Sequence, residues 1–487
     1  MTDVTRLERH PISVEEFLMT PPFDQPCARK SLEARLTEPT SPCPESRRPF
    51  VLAAAILGSS MVFIDGTALT VALPAIRDGL NASPSALNWI VNAYVLALAA
   101  FTLIGGAAAD RFGRRRVFLL GAIGFALASV ACGLARDDML LISARAVQGL
   151  FGAALAPASL ALIAAAYPKG ERASAIGAWA GASALTTAAG PVIGGLLVDS
   201  LHWSAIFFMN VPVAAGAVWL AWRFSPETSD AKQAGPFDVA GAILIALSLG
   251  ALAYGLVGLG EGAASRLEAI GALVAGSVLF VGFVLREHRA SAPMAPPSLF
   301  AIPALAGANG FTLLAYVGLG SALFVLPLVL ADQRGWTATQ IGAAFLPFTL
   351  AVGFLSGPAG RLAQRFGARW VMTAGAGLAA AGFLALQSSI GDGAAWLSVL
   401  APMMLIGIGF AAFIPALTDI AVSSAPAELE GVASGVNNAV ARVAQLIGVA
   451  VAAAVLQADA PQAAFLLATG AALAGAAIAL ATASRRS

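Results

Sequence analysis

Polar residues stand at a few places where the chain is otherwise apolar, and each needs a physical reason to be there. Asp65 lies in Val62-Phe63-Ile64-Asp65-Gly66-Thr67-Ala68-Leu69-Thr70-Val71-Ala72-Leu73-Pro74. A carboxylate at that depth of a membrane helix is costly unless it faces a water-filled cavity or a partner. Such a group suits the uptake and release of a proton; the plainer alternative is a carboxylate that only hydrogen-bonds a neighbouring helix. Arg145 sits in Ser143-Ala144-Arg145-Ala146-Val147-Gln148-Gly149. Its guanidinium stays charged, so it must be paired or hydrated. Asp65 is one candidate partner, and backbone carbonyls at a helix break are another. Gln148 follows at three residues and shares a helical face with Arg145. Asn92, beside Tyr94, and the pair Asn437-Asn438 are suited to interhelical hydrogen bonds or to ligand contact. Arg442 is a second cation in an apolar run. Asp65, Arg145, Asn92 and Gln148 are thus the candidate proton-coupling and substrate residues.

This chemistry is proton transfer and binding rather than covalent catalysis. The His residues (His10, His202, His288) are scattered singly and the Cys residues (Cys27, Cys43, Cys132) have no metal-ligand spacing. No nucleophile–base pair and no phosphate-binding glycine loop is visible, so neither an enzyme nor a metal or nucleotide cofactor is expected.

The elements that must position these residues are membrane helices. Of 487 residues 58% are hydrophobic and 11% charged, with a mean hydropathy of +0.81. Soluble domains carry about 25% charged residues. The net charge of +1 leaves no basic field for nucleic acid. From residue 50 onward apolar segments of about 20 residues, each long enough to cross the bilayer, recur near 50–73, 87–108, 117–135, 139–166, 173–198, 204–223, 237–259, 267–285, 302–331, 339–361, 370–390, 394–421, 434–457 and 462–483. The expected fold is all-α: a polytopic membrane protein of fourteen transmembrane helices. Residues 1–49 read instead as a polar, disordered cytoplasmic extension.

Charge placement supports that count. With the N-terminus cytoplasmic, 15 of the 28 Lys and Arg fall in the inner loops and C-terminus and only 4 in the outer loops, the bias of the positive-inside rule. Both termini are expected in the cytoplasm of a bacterium, with the protein in its plasma membrane. The chain also echoes itself. Gly106-Ala107-Ala108-Ala109-Asp110-Arg111-Phe112-Gly113-Arg114-Arg115 follows the second span, and Gly360-Arg361-Leu362-Ala363-Gln364-Arg365-Phe366-Gly367-Ala368-Arg369 follows the tenth, 254 positions later. Gly149 and Pro157 return as Gly407 and Pro415 at an offset of 258. Two similar halves separated by a two-helix insertion give such offsets, and internal repeats of this kind mark secondary transporters. The domain division read from this is 50–223, a two-helix insertion over 224–290, and 291–487.

Two further segments bear on movement. Asp110, Arg111, Gly113 and Arg114 concentrate charge after span two; they anchor topology, and a carboxylate beside arginines can clasp a neighbouring helix end in one conformation and release it in another. Gly190-Pro191 and Gly194 in span five give a small-residue face for close helix contact, and Pro191 frees a carbonyl and bends the span.

In these segments the chain resembles the major facilitator superfamily, in particular its fourteen-span drug:proton antiporter branch. The similarity covers residues 50 to 483. It rests on Ile64-Asp65 with Thr67 and Val71-Ala72-Leu73-Pro74, on the Gly106–Arg116 loop, on Arg145-Ala146-Val147-Gln148-Gly149, on Gly190-Pro191 with Gly194-Gly195, and on Phe207 to Pro212; Gly431-Val432-Ala433-Ser434-Gly435 also fits. The resemblance implies two six-helix bundles related by a pseudo-twofold axis around a central cavity, two additional helices between them, and alternating access. It implies that Asp65 is the membrane-embedded acid, Arg145 the proton-coupling arginine, Asp110, Gly113 and Arg114 the gating loop, and Gly190-Pro191 the hinge. Departures are Gln364 where the repeat would hold an acid and Ser204 where the family often has Arg.

The function expected is proton-coupled export of amphipathic, cationic or neutral organic compounds, with a proton displacing substrate at Asp65. The proton gradient is the energy source and no cofactor is needed. A dedicated exporter of one metabolite, lipid or antibiotic keeps the same fold, and a non-transporting membrane sensor or scaffold is a third reading. The expected partners are small organic substrates, protons and the lipid bilayer, with no nucleic acid; a periplasmic adaptor on the export path stays open.

Overall fold

The computed structural model describes residues 43–228, 238–259, 263–290, 293, 297–389, 396–425 and 430–482. Most of the expected N-terminal extension and the last arginines lie outside the described residues. No strand occurs among those described. The spanning helices are α1 (Arg48–Leu80), α2 (Pro84–Phe112), α3 (Arg114–Gly133), α4 (Asp138–Ala166), α5 (Lys169–Ser200), α6 (Asn210–Phe224), α7 (Val239–Gly258), α8 (Ala263–Arg289), α9 (Pro303–Arg334), α10 (Leu346–Phe366), α11 (Ala368–Ser389), α12 (Leu397–Ser423), α13 (Glu430–Gln457) and α14 (Gln462–Thr482). Among the described residues thirteen helices are long and apolar enough to cross a membrane. The other expected span, α7, has a shorter apolar stretch, Ile243–Leu256.

Local chemistry sets the ends. Pro49 opens α1 at a position where a missing N–H costs nothing, and Asn81 closes it in the left-handed region at φ 51°. Ser83 caps α2 and Asp137 caps α4 through their side-chain oxygens. Helix α1 starts at Arg48, two residues before the first apolar segment, and the 3-10 turn Glu45–Arg47 extends helical structure five residues before it. The start of the apolar segment marks the membrane surface, whereas the helix begins in water.

Burial has the polarity of a membrane protein. On α3, Leu120, Ile123 and Leu127 are all exposed and share one stripe, an outward apolar face suited to lipid. Helix α1 packs on α4, α5 and α6, while α2 packs on α4 and α13. In the second half α9 packs on α13 and α14, and α12 on α10 and α11. Helices α7 and α8 pack chiefly on each other, and α7 also touches α2 and α13.

The internal echo is repeated in atomic detail. A Cβ on Gly106 would meet Pro157 Cβ at 3.5 Å, and one on Gly360 would meet Pro415 Cβ at 3.5 Å. Gly149 lies against the backbone carbonyl of Tyr94, as Gly407 lies against that of Phe348, which an added Cβ would meet at 2.7 Å; Phe348 stands 254 positions after Tyr94. Gly113 and Gly367, also 254 apart, share the positive φ of 107° and 89°.

Candidate functional site

Asp65 sits at the centre of a polar cluster inside the first six helices. Arg145 Nη1 of α4 donates to Asp65 Oδ2, and both side chains are 1% exposed. Gln148 Nε2, one turn along α4, donates to Asp65 Oδ1 at 2.9 Å. Asn210 Nδ2, from the first turn of α6, reaches the same oxygen at 3.2 Å. Ser129 Oγ of α3 accepts from both amides, at 2.9 and 3.3 Å, and donates its own proton to Phe125 O at 2.8 Å. Arg145 also donates to Gln148 Oε1 at 2.6 Å and through Nε to Ile90 O of α2 at 3.2 Å. Beneath the guanidinium lies the Tyr94 ring at 4.1 Å, a cation–π contact strengthened by the absence of water. Tyr94 is held in turn by its hydroxyl, which donates to Val62 O at 3.1 Å. Five helices therefore converge on one carboxylate.

Of the two partners open for Arg145, Asp65 is the one it pairs with; the carbonyl it also binds, Ile90 O, lies within α2 and not at a helix break. Substrate cannot compete directly for Asp65 in this state, however. The carboxylate is buried among side chains of its own half, with its oxygens occupied by three donors. Displacement of substrate at Asp65 would need another conformation, in which this enclosure opens. The buried ion pair needed a partner more than it needed a cavity. The open surface begins one residue away, where a Cβ on Gly66 would meet nothing within 4 Å.

Asn92 does not join this cluster. Its Nδ2 donates to Asn88 Oδ1 at 2.9 Å and reaches Leu446 O of α13 at 3.4 Å, while Asn88 Nδ2 donates to Val449 O at 2.6 Å. The two asparagines form a clasp between the halves. Asn210 and Ser129 were not among the expected residues. Asn210 was legible as a polar residue before Val211-Pro212, but a serine in an apolar helix such as Ser129 gives no signal of its own, because it can satisfy itself on the preceding turn.

Helix α5 meets α1 through its glycines. Gly194 leaves room for Ala68, whose Cβ would lie 2.9 Å from an added methyl, and Gly190 lies against Thr67. Pro191 deprives Thr187 O of its helical donor, and Thr67 Oγ1 lies 3.2 Å from that carbonyl. The same hydroxyl is 3.1 Å from Phe63 O and from Ile64 O, so its single proton is shared among three acceptors.

The two faces of the molecule differ. On the Arg77 face the halves are latched. Arg77 of α1 makes a bidentate pair with Asp332 of α9 at 2.6 and 2.7 Å. Asp199 at the end of α5 accepts from the amides of Ala338 and Thr339, at 3.0 and 2.7 Å, on the short helix Ala338–Ala344 that leads into α10. Beside it Gly195 lies against Ala338 O and Gly342 against Pro191 O, with no room for a side chain at either.

On the opposite face the charged loop holds its own half. Arg114 N donates to Thr228 O at 3.0 Å, Arg115 Nη1 to Ser225 O at 3.3 Å, and Glu227 lies 3.5 and 3.7 Å from Arg115 and Arg116. Arg111 lies along the Phe112 ring; the Asp110 side chain lies outside the described residues. Gly113 has room for no Cβ against Glu227, whereas its counterpart Gly367 faces nothing within 4 Å. Gly113→Ala is therefore expected to cost more than Gly367→Ala. Both carry the backbone strain of about 1–3 kcal/mol, and the first must also push the Glu227 carboxylate away from Arg115 and Arg116. Thermal unfolding in detergent checks the order.

The comparisons with known proteins agree with this architecture. Residues 55–313 and 308–487 match the Major Facilitator Superfamily. The chain is 36% identical over 404 residues to the tetracenomycin C resistance and export protein of Streptomyces glaucescens, covering 83% of this chain and 74% of that protein. It is 35% identical to the multidrug resistance protein Stp of Mycobacterium tuberculosis (strain CDC 1551 / Oshkosh), over 82% and 74%, and 35% identical to the puromycin resistance protein of Streptomyces alboniger, over 84% and 81%. In fold it is similar to a crystal structure of a D-xylose–proton symporter, with a TM-score of 0.65 at 15% identity over 89% of this chain and 98% of that one. The chain is a multi-pass membrane transporter, not an enzyme, and it belongs to the Major Facilitator Superfamily.

Proposed function

We propose that the protein is a proton-coupled exporter of amphipathic organic compounds, working by alternating access in a bacterial plasma membrane. The observation that carries the coupling is the sealed Asp65–Arg145–Gln148–Asn210 cluster, an acid held with a fixed cation where water is excluded. The names of the relatives support export of drugs and antibiotics. By the bias of positive charge the Gly113 face is cytoplasmic, so the latched Arg77 face is the outer one and the state described is closed to the outside. Gating belongs to Asp110, Arg111, Gly113 and Arg114 on the inner face and to Gly190, Pro191 and Gly194 where α5 moves on α1.

Coupling in this scheme is indirect. Asp65 and Arg77 lie 12 residues apart on one helix, about 18 Å. A proton on Asp65 removes the counter-charge of Arg145 and loosens the hold of α4 on α1. Helix α1 runs from Asp65 to Arg77 with Pro74 between them, a point where it can bend, and a displacement carried past that point reaches the Arg77–Asp332 latch. A bistable helix biased at one end and read at the other is a sufficient link. Inside-out vesicles with an amphipathic dye added to the external medium test this. In Asp65→Asn, accumulation driven by an acid-inside gradient is expected to vanish while downhill dye movement persists. Unchanged dependence on the gradient would remove Asp65 from the coupling.

A dedicated exporter is the second reading, favoured by relatives that are named for single antibiotics such as puromycin. Transport of one compound from a chemically varied panel would select it.

A further inference from the structure

Below the Asn88–Asn92 clasp the seam between α2 and α13 opens into a cavity of about 460 Å³. The clasp fixes α13 at Leu446 and Val449; the cavity begins a turn further toward the Gly113 face, at Val443, and Ala99 and Ala100 of α2 form its opposite wall. Helices α7 and α8 close it on the side away from the bundles, with Phe280 and Phe283 of α8 among its lining. Its wall is nearly all apolar. Two polar side chains reach it: Glu287, near the end of α8, and Asn309 of α9.

Asn309 is the informative one. It is 5% exposed, and its Oδ1 accepts from Asn437 Nδ2 at 3.1 Å. Its own Nδ2, buried, finds no acceptor among the described residues. A buried amide donor without an acceptor is costly, and a turn of the Asn309 side chain toward the cavity would offer this sealed Nδ2 to a ligand oxygen. No basic side chain lines the cavity among the described residues, and its one ionisable lining group is an acid, so an anionic head has nothing to hold it. The volume lies within the range of drug-sized pockets, roughly 300–1,000 Å³. The lining comes from both halves and from the inserted pair, so an occupant would sense their relative movement.

We propose that this cavity is a loading site for an uncharged amphiphile entering from the cytoplasmic leaflet. Its apolar body lies against Phe280 and Phe283, and a carbonyl oxygen accepts the hydrogen bond from Asn309 Nδ2. The assignment of leaflet and direction rests on the export reading above. It gives α7 and α8 a role, as the outer wall of a lateral entry.

Nile red, an uncharged dye with a ring carbonyl, and benzophenone, a photoreactive diaryl ketone, test the site on the full chain in phosphatidylcholine vesicles without a proton gradient. Benzophenone adducts are expected on 280–287 and 436–443 and should be displaced by Nile red. Asn309→Leu should weaken Nile red binding about threefold to tenfold, the worth of one hydrogen bond. Because that change also strips an acceptor from Asn437, Leu313→Trp serves as a second variant: it fills the cavity from a partly exposed position and should abolish the adducts. Adducts that survive Leu313→Trp, that map elsewhere, or that yield only to added phospholipid would overturn the proposal. Binding needs no coupling, so adducts are expected to persist in Asp65→Asn. Loss of gradient-driven export there, with labelling intact, separates the two readings.

Discussion

Asp65→Ala and Arg145→Ala should each destabilise the protein by about 3–5 kcal/mol, the cost of leaving one member of a buried ion pair without its partner. Each is also expected to abolish gradient-driven efflux. The informative experiment is the double replacement Asp65→Leu with Arg145→Met, which removes both charges and fills the space with apolar atoms of similar size. Such exchanges are often neutral or stabilising. The expected result is a protein that unfolds at or above the wild-type temperature and transports nothing. Thermal unfolding followed beside vesicle efflux reads both properties. A double variant that still pumps against a gradient would make the pair structural; one as unstable as the single variants would mean that Gln148, Asn210 and Ser129 cannot be left around an apolar centre.

Gly342→Leu has the second largest expected effect. Gly342 touches the backbone of Pro191, next to the amides that bind Asp199. A leucine there has no flexible neighbour to push aside, so the Arg77 face must part. The expected outcome is a shift of population toward the state open on that face, with transport reduced at least tenfold, about 1.4 kcal/mol at the latch. Reactivity of a cysteine placed at Thr339 toward an impermeant maleimide should rise in Gly342→Leu. If reactivity stays unchanged while transport is lost, the leucine has damaged the fold and not the latch.

Much of this was legible in the sequence. Spans long enough to cross hydrocarbon are set by hydropathy, and the repeat at 254 positions is visible because two copies of a backbone geometry need glycine at the same place, Gly113 and Gly367. The depth of Asp65 and Arg145 was legible too, since charge in an apolar run is conspicuous. Their pairing was open as one of two alternatives and could not be decided: residues 80 positions apart carry no mark of contact, and the angular position of each helix depends on packing that periodicity does not encode. The enclosure of Asp65 in this state was hidden for the same reason. Asn92 looked equivalent to Gln148 as an amide in a span, yet one faces α13 and the other Asp65. The Arg77–Asp332 latch was hidden because a charge at a helix end is ordinary.

The asparagines of α2 grip α13 through main-chain oxygens, of Leu446 and Val449, and not through any side chain. Every amino acid supplies that oxygen, so other apolar residues that fit the buried positions 446 and 449 can stand there without loosening the joint, whereas α2 has no such latitude at 88 and 92. Homologues should therefore vary on one side of this boundary and stay constant on the other.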